Sequence, residues 1–345
     1  MFKLDERYLP DEDGQFYSCN WIQSGIVFFQ HKLTMCCYCG HEGGGHVMLG
    51  NNYKGQELNW DRIFWLKKRF NDFHKKGLIN TNCKGCPYLK KDNWELNRKF
   101  IDRVYISHWT YCNSKCFYCY ATEHPEEFYS DKTYSVLPIL KDMIKKKILK
   151  PGGDISFGGG EPTILTEFDD IIKLLLDNKF YNLRIHTSGI RYSKVLEKGI
   201  REGRINVVVS TDAGSEEVYE KIKRVNKYSE VRENIKKYAK AQRNKTIKVT
   251  KEVHMAGHLM VGSKFIIIPG VNDTIEEVES WLRENEKANV HRTIIDLEEN
   301  WYKANKDNVS EHIFELVEYI KSRSKELNTN FEMYERLENL TKIRV

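Results

Sequence analysis

From residue 101 onward, short apolar runs alternate with longer amphipathic ones, and this alternation constrains the fold more than any other feature of the chain. Candidate strands are RVYISHW (103–109), DISF (154–157), LRIHTS (183–188), INVVVST (205–211), KFIIIP (264–269) and RTIIDL (292–297). Helix-like segments at 132–149, 164–178, 192–202, 229–242 and 274–288 separate them, and a last one spans 308–327. Thr163, Ser193, Ser215 and Asp273 stand where capping residues open helices. Six β-then-α units in series predict an α/β fold with a parallel sheet under helices. Six units are too few for a closed eightfold barrel, so residues 101–345 are expected to form a partial (β/α)6 TIM-like barrel with a C-terminal helical segment.

In such folds the chemistry sits at the C-terminal ends of the strands. The segments there are YCNSKCFYCY (111–120), GGGEPT (158–163), SG (188–189), TDAGS (211–215) and PGVND (269–273). Ordinary turn chemistry explains any one of these loops taken alone. Together they point to one working edge.

The 345 residues are 40% apolar and 30% charged, which excludes a disordered chain. The longest apolar stretches, GIVFF and FIIIP, are too short to cross a bilayer, so no membrane partner is expected. The N-terminus, MFKLDERYLPDEDGQ, has no apolar core of a signal peptide, which predicts a cytoplasmic protein. The net charge of +6 is spread over lysines that read as solvated helix faces, so nucleic acid is not the expected partner. Nine cysteines all precede residue 120, and in a reducing compartment clustered cysteines bind metal or do redox chemistry more often than they form disulfides. Residues 1–100 carry six of them and form a separate small Cys-rich domain that would need a metal to hold it together.

Cys112, Cys116 and Cys119 are spaced four and three apart. Zinc would need a fourth ligand, with His108 or His124 as candidates, and no second CxxC lies close by. An iron–sulfur cluster explains three thiolates better, because a four-iron cluster with three protein ligands keeps one iron open. CNSKCFYC fits the CxxxCx(aromatic)C motif, and with GGGEPT one strand later the region 101–300 resembles the radical S-adenosylmethionine superfamily.

The resemblance implies a 4Fe-4S cluster on Cys112, Cys116 and Cys119 whose open iron is chelated by S-adenosylmethionine. It implies reductive cleavage of that cofactor to a 5′-deoxyadenosyl radical, which removes hydrogen from a substrate. By the same resemblance Tyr118 lies beside the adenine, and Gly159, Gly160 and Glu161 hold the methionine ammonium, mainly through backbone groups. Ser210 and Asp212 match positions that meet ribose or the methionine carboxylate, Thr187 and Ser188 face the cavity, and Ile268 packs on adenine. A low-potential donor such as a flavodoxin or ferredoxin would supply the electron. His108, Asp296 and Glu298, near strand ends, are candidates for substrate binding or proton transfer, and Trp109 joins them.

In the first hundred residues Cys19, one of Cys36 or Cys37, Cys83 and Cys86 make a four-ligand set for a second iron–sulfur cluster or zinc, with iron–sulfur favoured. This resembles auxiliary-cluster domains of the SPASM and twitch type, although those follow the barrel and this one precedes it. HEGGGH (41–46) is not a metalloprotease helix, because its histidines are five apart across glycines. His254 and His258 are expected in a loop. The expected function is a radical S-adenosylmethionine enzyme acting on a peptide, or nearly as readily on a carbohydrate or other small polar substrate. The alternatives are an activating enzyme for a glycyl-radical partner and a zinc-stabilised nucleic-acid-binding protein.

Overall fold

The computed structural model describes residues 1–36, 47–51, 55–123, 134–242, 261–305, 308–334, 337–338 and 340. The chain divides into two compact units. One comprises Met1–Trp109, Asp131–Gly159 and Asp177–Phe180; the other comprises Thr110–Ser130, Gly160–Leu176 and Tyr181–Val345.

In the first unit the run GIVFF forms β3 (Gly25–Phe29), buried along most of its length as expected of a strand covered on both faces. It runs parallel to β8 (Ile101–Ser107), which runs parallel to β9 (Leu149–Phe157). On the other side β4 (Lys32–Thr34) and β5 (Met48–Asn51) continue the sheet antiparallel. Two small antiparallel pairs stand apart: β1 (Phe2–Leu4) with β6 (Leu78–Asn80), and β2 (Phe16–Ser18) with β7 (Lys90–Asp92). The short α1 (Asn20–Ser24) precedes β3 directly. α2 (Trp60–His74) is capped by Asn59, whose side chain accepts from Arg62 N, and turns Ile63, Phe64, Lys67, Phe70, Asn71 and His74 inward at helical spacing. The helix expected over 132–149 is α3 (Leu137–Lys145) among the described residues; Lys147 then takes φ 56° and β9 begins at Leu149.

The second unit holds a five-stranded parallel sheet in chain order: β10 (Leu183–Thr187), β11 (Ile205–Ser210), β12 (Val261–Ile267), β13 (Arg292–Leu297) and β14 (Asn330–Met333). Its helices are α4 (Phe168–Asp177), α5 (Lys194–Arg201), α6 (Glu216–Lys223), α7 (Tyr228–Ala241), α8 (Ile275–Lys287), α9 (Glu299–Asn305) and α10 (Glu311–Glu326). Ser193 and Ser215 cap α5 and α6, as their positions suggest. The cap of α8 is Thr274 rather than Asp273. Thr163 opens no α-helix; it sits in the 3-10 turn Pro162–Ile164, capped by Glu161, and α4 starts at Phe168.

Side chains alternate across this sheet with period two. One face is apolar: Phe265, Ile267, Ile295 and Leu297 pack against Trp281 of α8 and Ile313, Leu316 and Ile320 of α10. The opposite face carries Arg184, His186, Ser210, Lys264 and Asp296, and of these only Asp296 is fully buried. The fold is α/β with the parallel sheet that the βα alternation predicts.

Candidate functional site

The loop after residue 110 carries the three spaced cysteines, each half-buried. Cys119 N donates to Cys116 O at 3.0 Å and Thr122 N to Cys119 O at 2.8 Å, a tight turn that folds the CxxC back on itself. Two further bonds fasten the loop to the end of α6: Lys115 N to Lys223 O at 2.9 Å and Phe117 N to Ile222 O at 3.2 Å. Ser114 N donates to Cys112 Sγ at 3.4 Å, a contact that favours the thiolate. Burial pushes the Cys112 thiol up to about 12, and Glu161 and the other two thiols push it the same way. Burial also raises Cys116, against the pull of Lys223. Three soft sulfur donors that repel one another's charge, with an N–H already turned to one of them, suit a cationic iron–sulfur centre. Among the described residues no three His, Cys, Asp or Glu side chains are grouped as a single ion would need. Of the fourth ligands considered for zinc, His108 lies in the first unit, buried with its ring 5.2 Å from Tyr134, and His124 lies outside the described residues.

The GGE segment is anchored beside this loop. Gly159 closes the strand of the first unit at φ +87°, where a Cβ would come within 2.6 Å of Trp109 O. Gly160 belongs to the second unit, and its backbone is pressed so closely on Thr110 and Tyr111 that a Cβ would lie 2.7 Å from Thr110 O. Glu161 N donates to Tyr111 O at 2.8 Å. The Glu161 carboxylate is buried and accepts from Thr163 N at 3.0 Å, Thr163 Oγ1, Thr187 Oγ1 at 2.7 Å and Ser188 N at 2.5 Å. Ser188 Oγ donates in turn to Asn113 Oδ1 at 2.9 Å, so the network returns to the cysteine loop. Glu161, Thr187 and Ser188 are thus brought together with the loop.

A second anchor holds Tyr118. Its hydroxyl donates to Asp212 Oδ2 at 2.6 Å, and Lys223 Nζ reaches the same oxygen. Burial opposes the Lys223 charge, but the Asp212 carboxylate outweighs it and the ammonium is held above its usual range. Burial, then Asp212, raises Tyr118 well above the phenol value, so its proton stays. Asp212 has a left-handed backbone (φ 54°), tolerable for Asp, and its Oδ1 accepts from Ile266 N at 2.8 Å. Asn272 Nδ2 bridges Asp212 O at 2.8 Å and Ile266 O at 2.9 Å, and Asn272 Oδ1 takes Ile268 N at 2.7 Å. Ile268 is buried at 5% exposure and Ser210 half-buried at the end of β11. Lys223 and Asn272 escaped the sequence reading: Lys223 sits in a basic run that reads as solvated, while the turn residues PGVND hid a bridging amide.

Asp296 is buried beneath Lys264, whose Nζ is 3.3 Å from Oδ2. Glu298 caps α9, its carboxylate accepting from Asn300 N at 3.0 Å and Trp301 N at 2.7 Å.

In the first unit Cys19, Cys83 and Cys36 belong to one apolar cluster with Ile22, Met35, Phe70 and Ile79. Cys86 N donates to Cys83 O at 3.1 Å, closing the CKGC turn. Burial raises Cys19 to about 11, with Cys86 and Cys36 adding to it. Burial raises Cys83 further, with Cys19, Cys36 and Cys86 all contributing, so the four thiols share one neighbourhood. Lys67 is buried there, its Nζ donating to Trp21 O at 3.3 Å and Ile22 O at 3.2 Å. Burial lowers it to about 7, against Cys19 and Cys36. Cys37, the HEGGGH run, His254 and His258 lie outside the described residues.

The Radical SAM superfamily matches residues 106–284. The chain is 27% identical over 174 residues to 7,8-dihydro-6-hydroxymethylpterin dimethyltransferase of Methanocaldococcus jannaschii, covering 46% of this chain and 33% of that protein. It is 25% identical over 153 residues to GTP 3′,8-cyclase of Vibrio parahaemolyticus, covering 44% of this chain and 46% of that one. The matches therefore span between a third and half of these relatives' lengths. Among solved structures, Streptococcus suis SuiB bound to precursor peptide SuiA aligns at TM-score 0.51 and 13% identity, over 86% of this chain and 60% of SuiB, a likeness of fold. Among the described residues no helix is long and apolar enough to cross a membrane.

Proposed function

The chain belongs to the radical S-adenosylmethionine superfamily, and from that membership we propose that it is an enzyme whose Cys112, Cys116 and Cys119 hold a four-iron cluster with one iron left to the cofactor. When bound, the cluster and S-adenosylmethionine supply reductive cleavage and a 5′-deoxyadenosyl radical that takes a hydrogen atom from the substrate. The observation that carries this reading is the joining of the cysteine loop to the GGE carboxylate through Asn113 and Ser188.

The chain's own residues do the placing. Gly159 and Gly160 let backbone approach the methionine end, while Glu161 fixes the loop that presents it. Tyr118 offers its backbone to the adenine, and its hydroxyl, held by Asp212, fixes that backbone. This leaves Asp212 a positioning part rather than a ribose contact, with Thr187, Ser188, Ser210 and Ile268 lining the cofactor's place. Asp296 and Glu298 of the second unit are the proposed groups for substrate contact, and His108 of the first unit is a separate candidate.

Of the substrates considered, a peptide or a small polar molecule, the charged face of the second unit supports the small one. The names of the two relatives, a pterin methyltransferase and a guanine-nucleotide cyclase, lie in the same direction. A flavodoxin or ferredoxin is the proposed electron source. In the first unit Cys19, Cys36, Cys83 and Cys86 are the proposed ligands of a second iron–sulfur cluster, or of zinc. The test is anoxic purification with iron and sulfide counting, followed by dithionite and S-adenosylmethionine. Formation of 5′-deoxyadenosine supports the reading; a colourless protein carrying stoichiometric zinc and releasing none overturns it.

A further inference from the structure

The interior of a (β/α) barrel is ordinarily filled by branched apolar side chains. In the second unit the sheet face opposite the helices keeps that pattern at Val208, Ile266 and Ile294 but sets charged and polar side chains among them. Register places Ser210 beside Lys264, and Ile266 beside Asp296, on neighbouring strands. The alternation puts Arg184 and His186 of β10 on the same face, and both keep partial exposure while Ile185 and Thr187, which point to the other face, are buried. Lys264 Nζ lies 3.3 Å from Asp296 Oδ2 and 4.5 Å from the ring centroid of Tyr334, which follows β14. Arg292 is neutralised separately: its guanidinium makes two bonds to the Glu332 carboxylate, at 2.8 and 2.7 Å, and one to Asn206 Oδ1 at 2.6 Å.

These charges belong together. The low proton affinity of His186, brought to about 3, comes first from burial and then from Lys264, Arg184 and Arg292. The imidazole therefore stays neutral. Three cations (Arg184, Lys264, Arg292) and two carboxylates (Asp296, Glu332) stand among the described residues of this face. Charged groups on an inner face are costly to desolvate, and a face made only for packing would carry none. Arg184 and Lys264 keep accessible surface among buried neighbours, which is how a ligand-binding face differs from a packed one.

We propose that this face binds an anionic group, a carboxylate or a phosphate, of a small polar substrate, with Arg184 and Lys264 as the cationic contacts and Tyr334 as the wall. The inference rests on the radical-enzyme reading only for the reaction that follows; anion binding stands by itself. A planar guanidinium pairs with two oxygens of either anion, and Lys264 adds a point charge while Asp296 keeps its ammonium aimed.

The test is calorimetric titration of the full chain, anoxically loaded, with inorganic pyrophosphate in one arm and malonate in the other. Variants Arg184→Gln, Arg184→Lys and Lys264→Arg are compared with Lys240→Gln, a lysine of α7 away from this face. Circular dichroism and iron content confirm that each is folded and loaded. One equivalent of pyrophosphate or malonate should bind, and the tighter arm names the anion. Arg184→Gln should weaken binding tenfold or more, Arg184→Lys less, and Lys240→Gln not at all. If neither probe binds a loaded wild-type protein, or if Arg184→Gln and Lys240→Gln lose affinity alike, the anion site is refuted and the cluster reading stands. Loss of iron from wild type with anion binding intact would refute the cluster reading instead.

Discussion

The two thiol-rich regions differ in what surrounds the sulfurs. In the first unit Cys19 and Cys83 are buried in an apolar cluster that the half-buried Cys36 packs against, Cys86 is half-buried, and the amine of Lys67 is buried nearby. In the second, three half-exposed thiols ride a polar loop whose neighbours are Glu161, Ser188, Asp212 and Lys223. If the four sulfurs of the first unit hold the proposed metal, the site would be closed and its contribution would be to stability, with Lys67 offsetting the negative charge of four thiolates. Three sulfurs at an accessible loop suit a site that keeps a position for something else. Ligand number and the polarity of the neighbours, rather than solvent access, are what would separate a staple from a working centre.

The largest expected difference lies in the cysteines themselves. Cys112→Ala, Cys116→Ala and Cys119→Ala should each abolish 5′-deoxyadenosine formation, as read by chromatography of the quenched reaction. Full product from any one of them sinks the assignment. The double replacement Cys83→Ala with Cys86→Ala should leave that cleavage largely in place while removing about half the iron, or the zinc, and lowering thermal stability. Unchanged metal content would make the first unit a set of packed thiols.

A smaller effect separates the units by acid response. His74 is fully buried; its Nδ1 lies 3.0 Å from Tyr17 O and its Nε2 accepts from Asn80 N at 3.3 Å, which fixes a neutral ring. Burial, against the Tyr17 carbonyl, lowers its proton affinity from 6.5 to about 4. Between those values the unfolded chain binds the proton and the folded one does not, so stability falls as pH drops from about 6.5 to about 4. The loss attributable to this ring is of order 3 kcal/mol. His74→Gln should flatten the dependence when denaturant midpoints at pH 7 and pH 5 are compared; an unaltered slope would show that other groups set it. The smallest effect is Trp281→Phe in the second unit. The indole donates to Ser263 Oγ at 2.8 Å and Thr211 Oγ1 at 3.0 Å, but those hydroxyls also lie 3.1 Å from each other. Calorimetry should read a loss of about 1 kcal/mol.

The parts that could be read from sequence are those whose pattern is local. Strands such as INVVVS and RTIIDL announce themselves as apolar runs, and Ser193 and Ser215 mark helix starts. The cysteine spacing needs no fold to be noticed. By contrast α6, EEVYEKIK, turns only Tyr219, Ile222 and Lys223 inward, too few positions to show a helical period. β3 is five residues long and joins β8 across more than seventy positions of chain, so its run of apolar residues could not say which strand it would meet. The part played by Asp212 was hidden for the same reason, because its partners Tyr118, Lys223 and Ile266 meet only after folding.

The bonds from Lys115 N and Phe117 N to the last carbonyls of α6, with Tyr118 tied to Asp212, make the cysteine loop rigid through protein contacts alone. Ordering a free residue costs about 1–2 kcal/mol of backbone entropy, so a loop shaped in advance spares an incoming cluster that penalty. If the three thiols of this loop hold the proposed cluster, its assembly would be capture on a template that the protein itself has largely shaped.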